Sequence, residues 1–455
     1  MANVIKLKKG LDINLKGKAA ETKLQLKSNG HFALVPDDFT GVVPKVTVHE
    51  GDHVKAGEAL FVNKQFPEVK FASPVSGQVT AIERGERRKV LFIKVEADKE
   101  QDYVDFGRKA VAKMDGQAVI DALLEGGLFG YIDQLPYAVS TNPATMPKAI
   151  FVSALRDKPL ACDFSVEVKG QEDDFVTGLT ALSKIAKTYL GLGIQPDLLA
   201  ALQQRDVEKV AEVTVFDGPC PAGNVGVQVN HLDPVNKGEV VWTIGDPTVV
   251  LFIGRLLNTG KVDLRRTVAL CGSEVKKPCL AEMKVGEELA TLLANSYDAD
   301  HRVRIINGNV LTGRQTTKDG FLGAHTSEIT VIPEGDDADE FAGWIMPRLK
   351  QFSVNRSYFS WLMGKKKEYA LDARVKGGER HMIMSGEYDR VLPMDIYSEY
   401  LIKAIITGDI DKMEQLGIYE VSPEDFALAE FVDSSKLELQ RIVREGLNNL
   451  RKENA

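Results

Sequence analysis

The segment that most constrains the fold lies between residues 29 and 97. Short apolar alternations follow one another there. Turn signals break them at Pro36-Asp37-Asp38, Glu50-Gly51-Asp52, Lys55-Ala56-Gly57-Glu58, Ser73-Pro74, Ser76-Gly77 and Arg84-Gly85-Glu86. Period-two alternation punctuated by Gly and Pro predicts strands joined by tight turns. The text then changes. Ala149-Ile150-Phe151-Val152-Ser153 and Glu212-Val213-Thr214-Val215-Phe216 read as buried strands. Helices are predicted over 115–125 and 175–190, with another ending near 207–211. Strand, helix, strand at this spacing implies an α/β domain with a parallel core. Strands return at 267–270, 303–306 and 329–332 around one helix predicted over 285–295, a β-grasp pattern. From 340 onward the chain reads as helical, with the best amphipathic stretch over 437–451.

Composition narrows the function classes. The chain has 455 residues and a net charge of −8, so it lacks the basic balance of a general nucleic-acid binder. Its four cysteines, Cys162, Cys220, Cys271 and Cys279, form no Cys-x-x-Cys pair. That usage predicts buried thiols in a reducing compartment. The longest strongly apolar stretch runs over 249–253, far short of the roughly 20 residues a bilayer crossing requires. No signal-peptide core opens the sequence. A soluble, cytoplasmic protein is therefore expected.

Several motifs suggest chemistry. His49-Glu50-Gly51-Asp52-His53 matches a zinc-protease pattern, but Gly51-Asp52 belongs to a turn and cannot place both histidines on one helical face. Gly126-Gly127-Leu128-Phe129-Gly130 follows a helix, whereas phosphate loops precede one. It reads as a helix C-cap, with a flat aromatic pocket built by Phe129 and Tyr131 as the functional alternative. Gly191-Leu192-Gly193 lacks a third glycine, and there is no Walker loop. Pro219-Cys220-Pro221 opens a turn-rich loop in which Cys220 has no identifiable base; His231 lies eleven positions on. Trp361-Leu362-Met363-Gly364-Lys365-Lys366-Lys367 joins apolar residues to three lysines, which suits a membrane or partner surface and equally a solvated loop.

Val48 to Leu60, with its Gly51 and Gly57 turns, and Phe71-Ala72-Ser73-Pro74-Val75-Ser76-Gly77 together resemble the barrel-sandwich fold of biotinyl and lipoyl carrier domains. Lys64 is the nearest match to the carrier lysine, outside the usual motif. Over nearly the whole length the order of segments goes further. Lys9-Gly10-Leu11-Asp12, Val69-Lys70-Phe71-Ala72-Ser73-Pro74, Leu123-Leu124-Glu125-Gly126-Gly127-Leu128-Phe129 and Pro147-Lys148-Ala149-Ile150-Phe151-Val152 resemble the A-subunit family of bacterial sodium-translocating NADH:quinone oxidoreductases. Its relatives are the C-subunit of the Rnf complex and the flavin subunit of complex I. Those carry iron–sulfur cysteines in the helical domain, and here no cysteine lies beyond Cys279.

The resemblance implies a multidomain fold, α/β plus β. Its parts are strands and a barrel-sandwich hybrid domain over 1–100, a connecting helix and a Rossmann-like α/β domain over 101–262, a β-grasp soluble-ligand-binding domain over 263–335, and a C-terminal helical domain over 336–455. It implies a peripheral subunit on the cytoplasmic face of the bacterial inner membrane, bound to the integral membrane subunits of a six-subunit complex. It implies quinone as substrate, no cofactor tightly bound in this chain, and flavins and iron centres on other subunits. Phe129, Gly130, Tyr131, His31 and Phe32 are the expected quinone contacts. Trp361, Lys365, Lys366 and Lys367 are the expected docking residues. The family pattern has basic residues before Pro136; Leu135 stands there, implying altered loop chemistry. Rival readings are a docking scaffold with no small-molecule site, an NADH dehydrogenase with an unusual nucleotide loop, and a carrier modified at Lys64.

Overall fold

A computed structural model describes residues 3–336, 345–364 and 366–454; Lys365 and the start of the expected helical region at 340 lie outside them. Four sheets organise the described residues. The largest has seven strands in the spatial order Asn3–Lys6, Glu212–Asp217, Lys187–Leu192, Ala149–Ser153, Val241–Ile244, Asp133–Leu135, Val139–Ser140. The first five run parallel and the last two antiparallel. Side chains alternate across it. Ile150 and Val152 face the core built on the helices Glu172–Ile185 and Thr248–Thr259, while Ala149 and Phe151 face Val229 of Val225–Leu232. Burial on both faces is what a central parallel strand requires. The two larger helices cross at glycines. A Cβ on Gly178 would lie 2.3 Å from the Val250 carbonyl oxygen, and one on Gly254 would lie 1.8 Å from that of Asp174. Only glycine allows that approach.

The barrel-sandwich domain is formed by a four-stranded sheet and a three-stranded sheet. The first comprises His31–Leu34, Val90–Ala97, Gly77–Arg84 and His53–Val54; the second comprises Pro44–Val46, Ala59–Asn63 and Lys70–Ala72. Leu60, Phe61, Phe71, Val79, Ile93 and Val95 are buried among them. The fourth sheet is mixed, in the order Arg314–Thr316, Val303–Asn307, Glu328–Pro333, Arg265–Cys271, Cys279–Lys284, Lys23–Leu24. Beyond it the helices Ser398–Thr407, Ile410–Gln415, Ala427–Val432 and Leu439–Glu453 share a core with Leu7, Ile13 and Phe216.

Three expectations need correction. The helix predicted over 175–190 ends at Ile185, and Lys187–Leu192 is a central strand. Tyr189 and Leu190 point into different cores, so the periodicity there is two. The helix predicted over 285–295 is the single turn Ala290–Leu293. Before it, the amides of Val285, Gly286 and Glu288 donate to Leu264, Leu322 and His31, which removes them from a helix. Among the described residues of 345–387 the regular element is the 3-10 turn Phe359–Met363, and helix begins at Tyr388–Val391. Pro347, Gly364, Gly377 and Gly378 interrupt that stretch.

Residues 3–28 run outside the two barrel-sandwich sheets. Asn3 pairs with Thr214 in the seven-stranded sheet, and Lys23 pairs with Leu280 in the mixed sheet. Between them Gly10 donates to Arg390, Leu11 to Cys220 and Lys16 to Tyr369. This strap crosses three units before the barrel-sandwich begins.

Candidate functional site

The turn Phe129–Tyr131 is set by the helix before it. Asp115 caps Gly116–Glu125 by accepting from the Ala118 amide at 2.8 Å. Gly127 follows the helix with φ of 68°, and a Cβ there would meet the Ala72 amide nitrogen at 2.8 Å. The glycine pair is therefore a C-cap pressed onto the barrel-sandwich domain. Leu123, Leu128 and Ile132 all enter the same core, and they carry the turn inward. Phe129 packs edge-on to Trp242 at 5.3 Å. Tyr131 packs edge-on to Phe39 at 5.0 Å and to Phe252 at 6.1 Å.

The flat aromatic pocket expected from sequence is thus replaced by a filled core. Phe129, Gly130, Tyr131 and Phe32 are buried, and His31 is partly buried. His31 and Phe32 lie where the barrel-sandwich meets the mixed-sheet domain: the His31 carbonyl accepts from Glu288 at 3.0 Å, and Ala33 donates to Gly286 at 2.7 Å. Neither of two surface clefts is lined by any of these five residues. One cleft, of about 220 Å³, is bounded by Phe66, Gln134, Tyr137, Asn142 and Arg451. The other, of about 660 Å³, is bounded by Ile306, Leu311, Phe352, Val375, Phe431 and Leu437. Leu135 pairs with Val241 inside the sheet and is buried, so its side chain packs and does not face a loop ligand.

Two buried donors beside this turn lack a hydrogen-bond partner among the described residues: the Tyr131 hydroxyl and the Trp242 indole nitrogen. Burial pushes the Tyr131 phenol far above its usual range, with the nearby Asp38 carboxyl adding to the shift. The hydroxyl therefore stays protonated and able to donate. An unpartnered buried donor costs free energy, and a functional role or a bound water is what accounts for such groups in native folds.

The sheet order reverses between Ala149–Ser153 and Val241–Ile244, and ligands of open α/β sheets bind outside the strand ends at such a point. Here side chains occupy it. Arg156, just beyond the first strand, donates to Glu167 at 2.7 Å and contacts Asp246, just beyond the second, at 3.2 Å. Arg266, fully buried, reaches Asp246 at 2.9 Å and the Ala324 carbonyl at 3.0 Å. Glu167 also accepts from the Thr248 hydroxyl and the Thr267 amide. Burial alone would raise the Asp246 carboxyl, but the two arginines outweigh it and hold it below its ordinary value. Two carboxylates at the strand ends are a poor setting for a pyrophosphate. Sequence reasoning missed this cluster, whose members are spread from 156 to 266 with no local signature.

The remaining motifs are structural. Glu50 and Gly51 form a turn, and His53 pairs with Asp98 at 2.9 Å. Among the described residues no group of three or more His, Cys, Asp or Glu is arranged to hold a metal. All four cysteines are free and buried. Burial raises the Cys220 thiol strongly, which suppresses its thiolate, and His231 is bonded instead to the Val227 carbonyl at 2.9 Å. Trp361 stands exposed on its turn, and Lys366 is exposed three residues past its end.

Three family models match along the chain: an NqrA N-terminal barrel-sandwich hybrid domain over 5–98, an NqrA second alpha/beta domain over 114–262, and an NQRA C-terminal domain over 267–318. Full-length relatives agree. The A-subunit of the Na(+)-translocating NADH-quinone reductase of Yersinia pestis bv. Antiqua (strain Angola) is 34% identical over 99% of this chain and 100% of its own length. That of Haemophilus influenzae (strain PittGG) is 35% identical with the same coverage. This chain belongs to the A-subunit family of NADH-quinone reductases. It is therefore a subunit of a Na(+)-translocating NADH-quinone reductase, a translocase. Other subunits of that assembly are its partners. No helix among the described residues is long and apolar enough to cross a membrane. Among solved structures, a chain of an NAD+-reducing [NiFe]-hydrogenase aligns over 49% of this chain and 48% of its own, at 14% identity and a TM-score of 0.34, too low to carry an argument.

Proposed function

We propose that this chain is the peripheral, cytoplasmic-face subunit of a bacterial sodium-pumping NADH:quinone reductase and works chiefly by docking on integral membrane subunits. The observation that carries this reading is a basic, apolar face on an acidic chain. The described residues of 345–367 hold five Lys or Arg and no Asp or Glu, against a net charge of −8 for the whole chain. Trp361, Phe359 and Leu362 are exposed within it. Assembly tests the reading: W361A/L362A, altering surface side chains only, is expected to co-purify poorly with the membrane subunits while folding normally. Undiminished co-purification would remove the docking role from this face.

A second contribution rests on the orphaned donors. A quinone is planar and apolar with two carbonyl acceptors, so it suits aromatic walls and one or two buried donors. Tyr131 and Trp242 supply both beside Phe129. The site is closed as it stands, so access requires the barrel-sandwich domain to part from the α/β domain. The scaffold reading is favoured by the same burial. Loss of quinone turnover in an assembled Y131F complex supports the quinone role; unchanged turnover leaves a scaffold. The strand order supports a Rossmann-like origin for the α/β domain, and the mixed sheet a β-grasp, with the strand-end ion cluster standing where a nucleotide would bind. On this reading the chain holds no tight cofactor, and flavins and iron centres sit on other subunits.

A further inference from the structure

The 3-10 turn Phe359–Met363 presents its side chains in an unusual way. Of its five residues Ser360 alone is buried, and the Tyr369 hydroxyl reaches the Ser360 carbonyl from beneath. Phe359 is 58% exposed, Trp361 45%, Leu362 64% and Met363 49%. A 3-10 turn has about three residues per turn, so four apolar side chains fan outward from one protrusion. Ile345 and Met346 extend the exposed apolar surface. The cations are interleaved with it. The Arg356 guanidinium lies 5.0 Å from the Trp361 ring and that of Arg348 lies 5.8 Å from Tyr358. The Lys367 ammonium donates to the Leu349 carbonyl at the edge of this surface and lies 5.2 Å from the buried Tyr369 ring.

From this geometry we infer that the turn Phe359–Met363 inserts into an anionic lipid surface, with Arg356, Lys366 and Lys367 at the headgroup level. The inference rests on the membrane-docking reading above and deepens it: the turn itself meets the lipid beside the membrane subunits. Three features favour lipid over an acidic protein face. A fan of side chains on one turn matches a deformable acyl layer better than a fixed complementary surface. A tryptophan with basic neighbours is the side-chain set that settles at a bilayer interface. The absence of acidic residues over 345–367 in a chain of net charge −8 matches the field of an anionic leaflet.

The test uses the full chain and large unilamellar vesicles of phosphatidylcholine, with or without 30 mol% phosphatidylglycerol. Co-sedimentation is expected only with the anionic vesicles, and high salt should abolish it. Tryptophan emission should shift to the blue in the wild type and not in W361F. Each surface lysine contributes about a fivefold effect on binding, so K366Q/K367Q should bind about 25-fold more weakly. W361A/L362A should lose binding with an unchanged thermal midpoint. Equal binding to both vesicle types, or retained binding by both double variants, overturns the inference. If the chain ignores vesicles yet assembles with detergent-solubilised membrane subunits, the lipid inference fails and the docking reading stands. If it binds neither, both fall.

Discussion

Replacing Tyr131 with phenylalanine tests the central site directly. The hydroxyl is buried and has no partner among the described residues. Phenylalanine preserves the ring contacts with Phe39, Phe252 and His325. The substitution removes a polar atom whose desolvation is uncompensated, worth about 1–3 kcal/mol. For a unit of about 150–250 residues each kcal/mol moves the midpoint by about 2–4 °C. Y131F should therefore raise the calorimetric midpoint by about 2–12 °C. In the assembled complex it should lower quinone-dependent turnover if the hydroxyl serves a quinone carbonyl. A fall in midpoint would refute the reasoning, because it would mean the native hydroxyl is satisfied, for instance by a trapped water. A rise with unchanged turnover would leave the energetics intact and sink the quinone role.

Removing Arg266 should be costly. R266M leaves Asp246 buried with Arg156 as its remaining ion-pair partner, and breaking a buried pair costs about 3–5 kcal/mol; a D246N/R266M double variant should recover part of that in denaturant titrations. Burial raises Asp425 to about 6. Its proton is therefore favoured in the fold, so its contribution to stability is present below the unfolded value near 3.8 and is lost as pH rises through about 6. The stability difference between wild type and D425N should shift against wild type by about 2–3 kcal/mol from pH 4 to pH 6.5, and a flat difference would refute this. Native protein should react slowly with an aromatic disulfide reagent and release four thiols once denatured, since all four cysteines are buried; fast native reaction would contradict their raised thiol values.

What was legible in the sequence was whatever local pattern determines. Ala149–Ser153 is apolar on both faces and bounded by breaks, so it reads as a buried strand wherever it ends up. Asp115 announces its helix by capping it. The order of segments was enough to identify the family. Lys187–Leu192 was misread because Leu190 happens to continue a helical spacing from Leu182 and Ile185, and only pairing with Ala149–Ser153 and Glu212–Asp217 decides otherwise. The burial of Phe129 and Tyr131 was not legible, since nothing local says that Phe39, Trp242 and Phe252 converge on them. The ion cluster of Arg156, Glu167, Asp246 and Arg266 was unreadable for the same reason: its partners meet only through the tertiary fold.

The strap formed by residues 3–28 sets an order of events in the life of the chain. Residues 3–6 are made well before their partner strand Glu212–Asp217, and Lys23–Leu24 must wait for Cys279–Lys284. Until then the α/β sheet presents the open edge of Glu212–Asp217, a template for unwanted pairing. Each half of the strap waits for a partner made much later in the chain, and such distant closures slow folding. A bulky fusion ahead of residue 3 would burden that closing step while leaving each finished domain untouched. The barrel-sandwich hangs from a tether already sewn through its neighbours, so a cut near residue 28 would leave the strap held by its pairings alone while the barrel-sandwich stays joined to the α/β domain through the chain after Ala97.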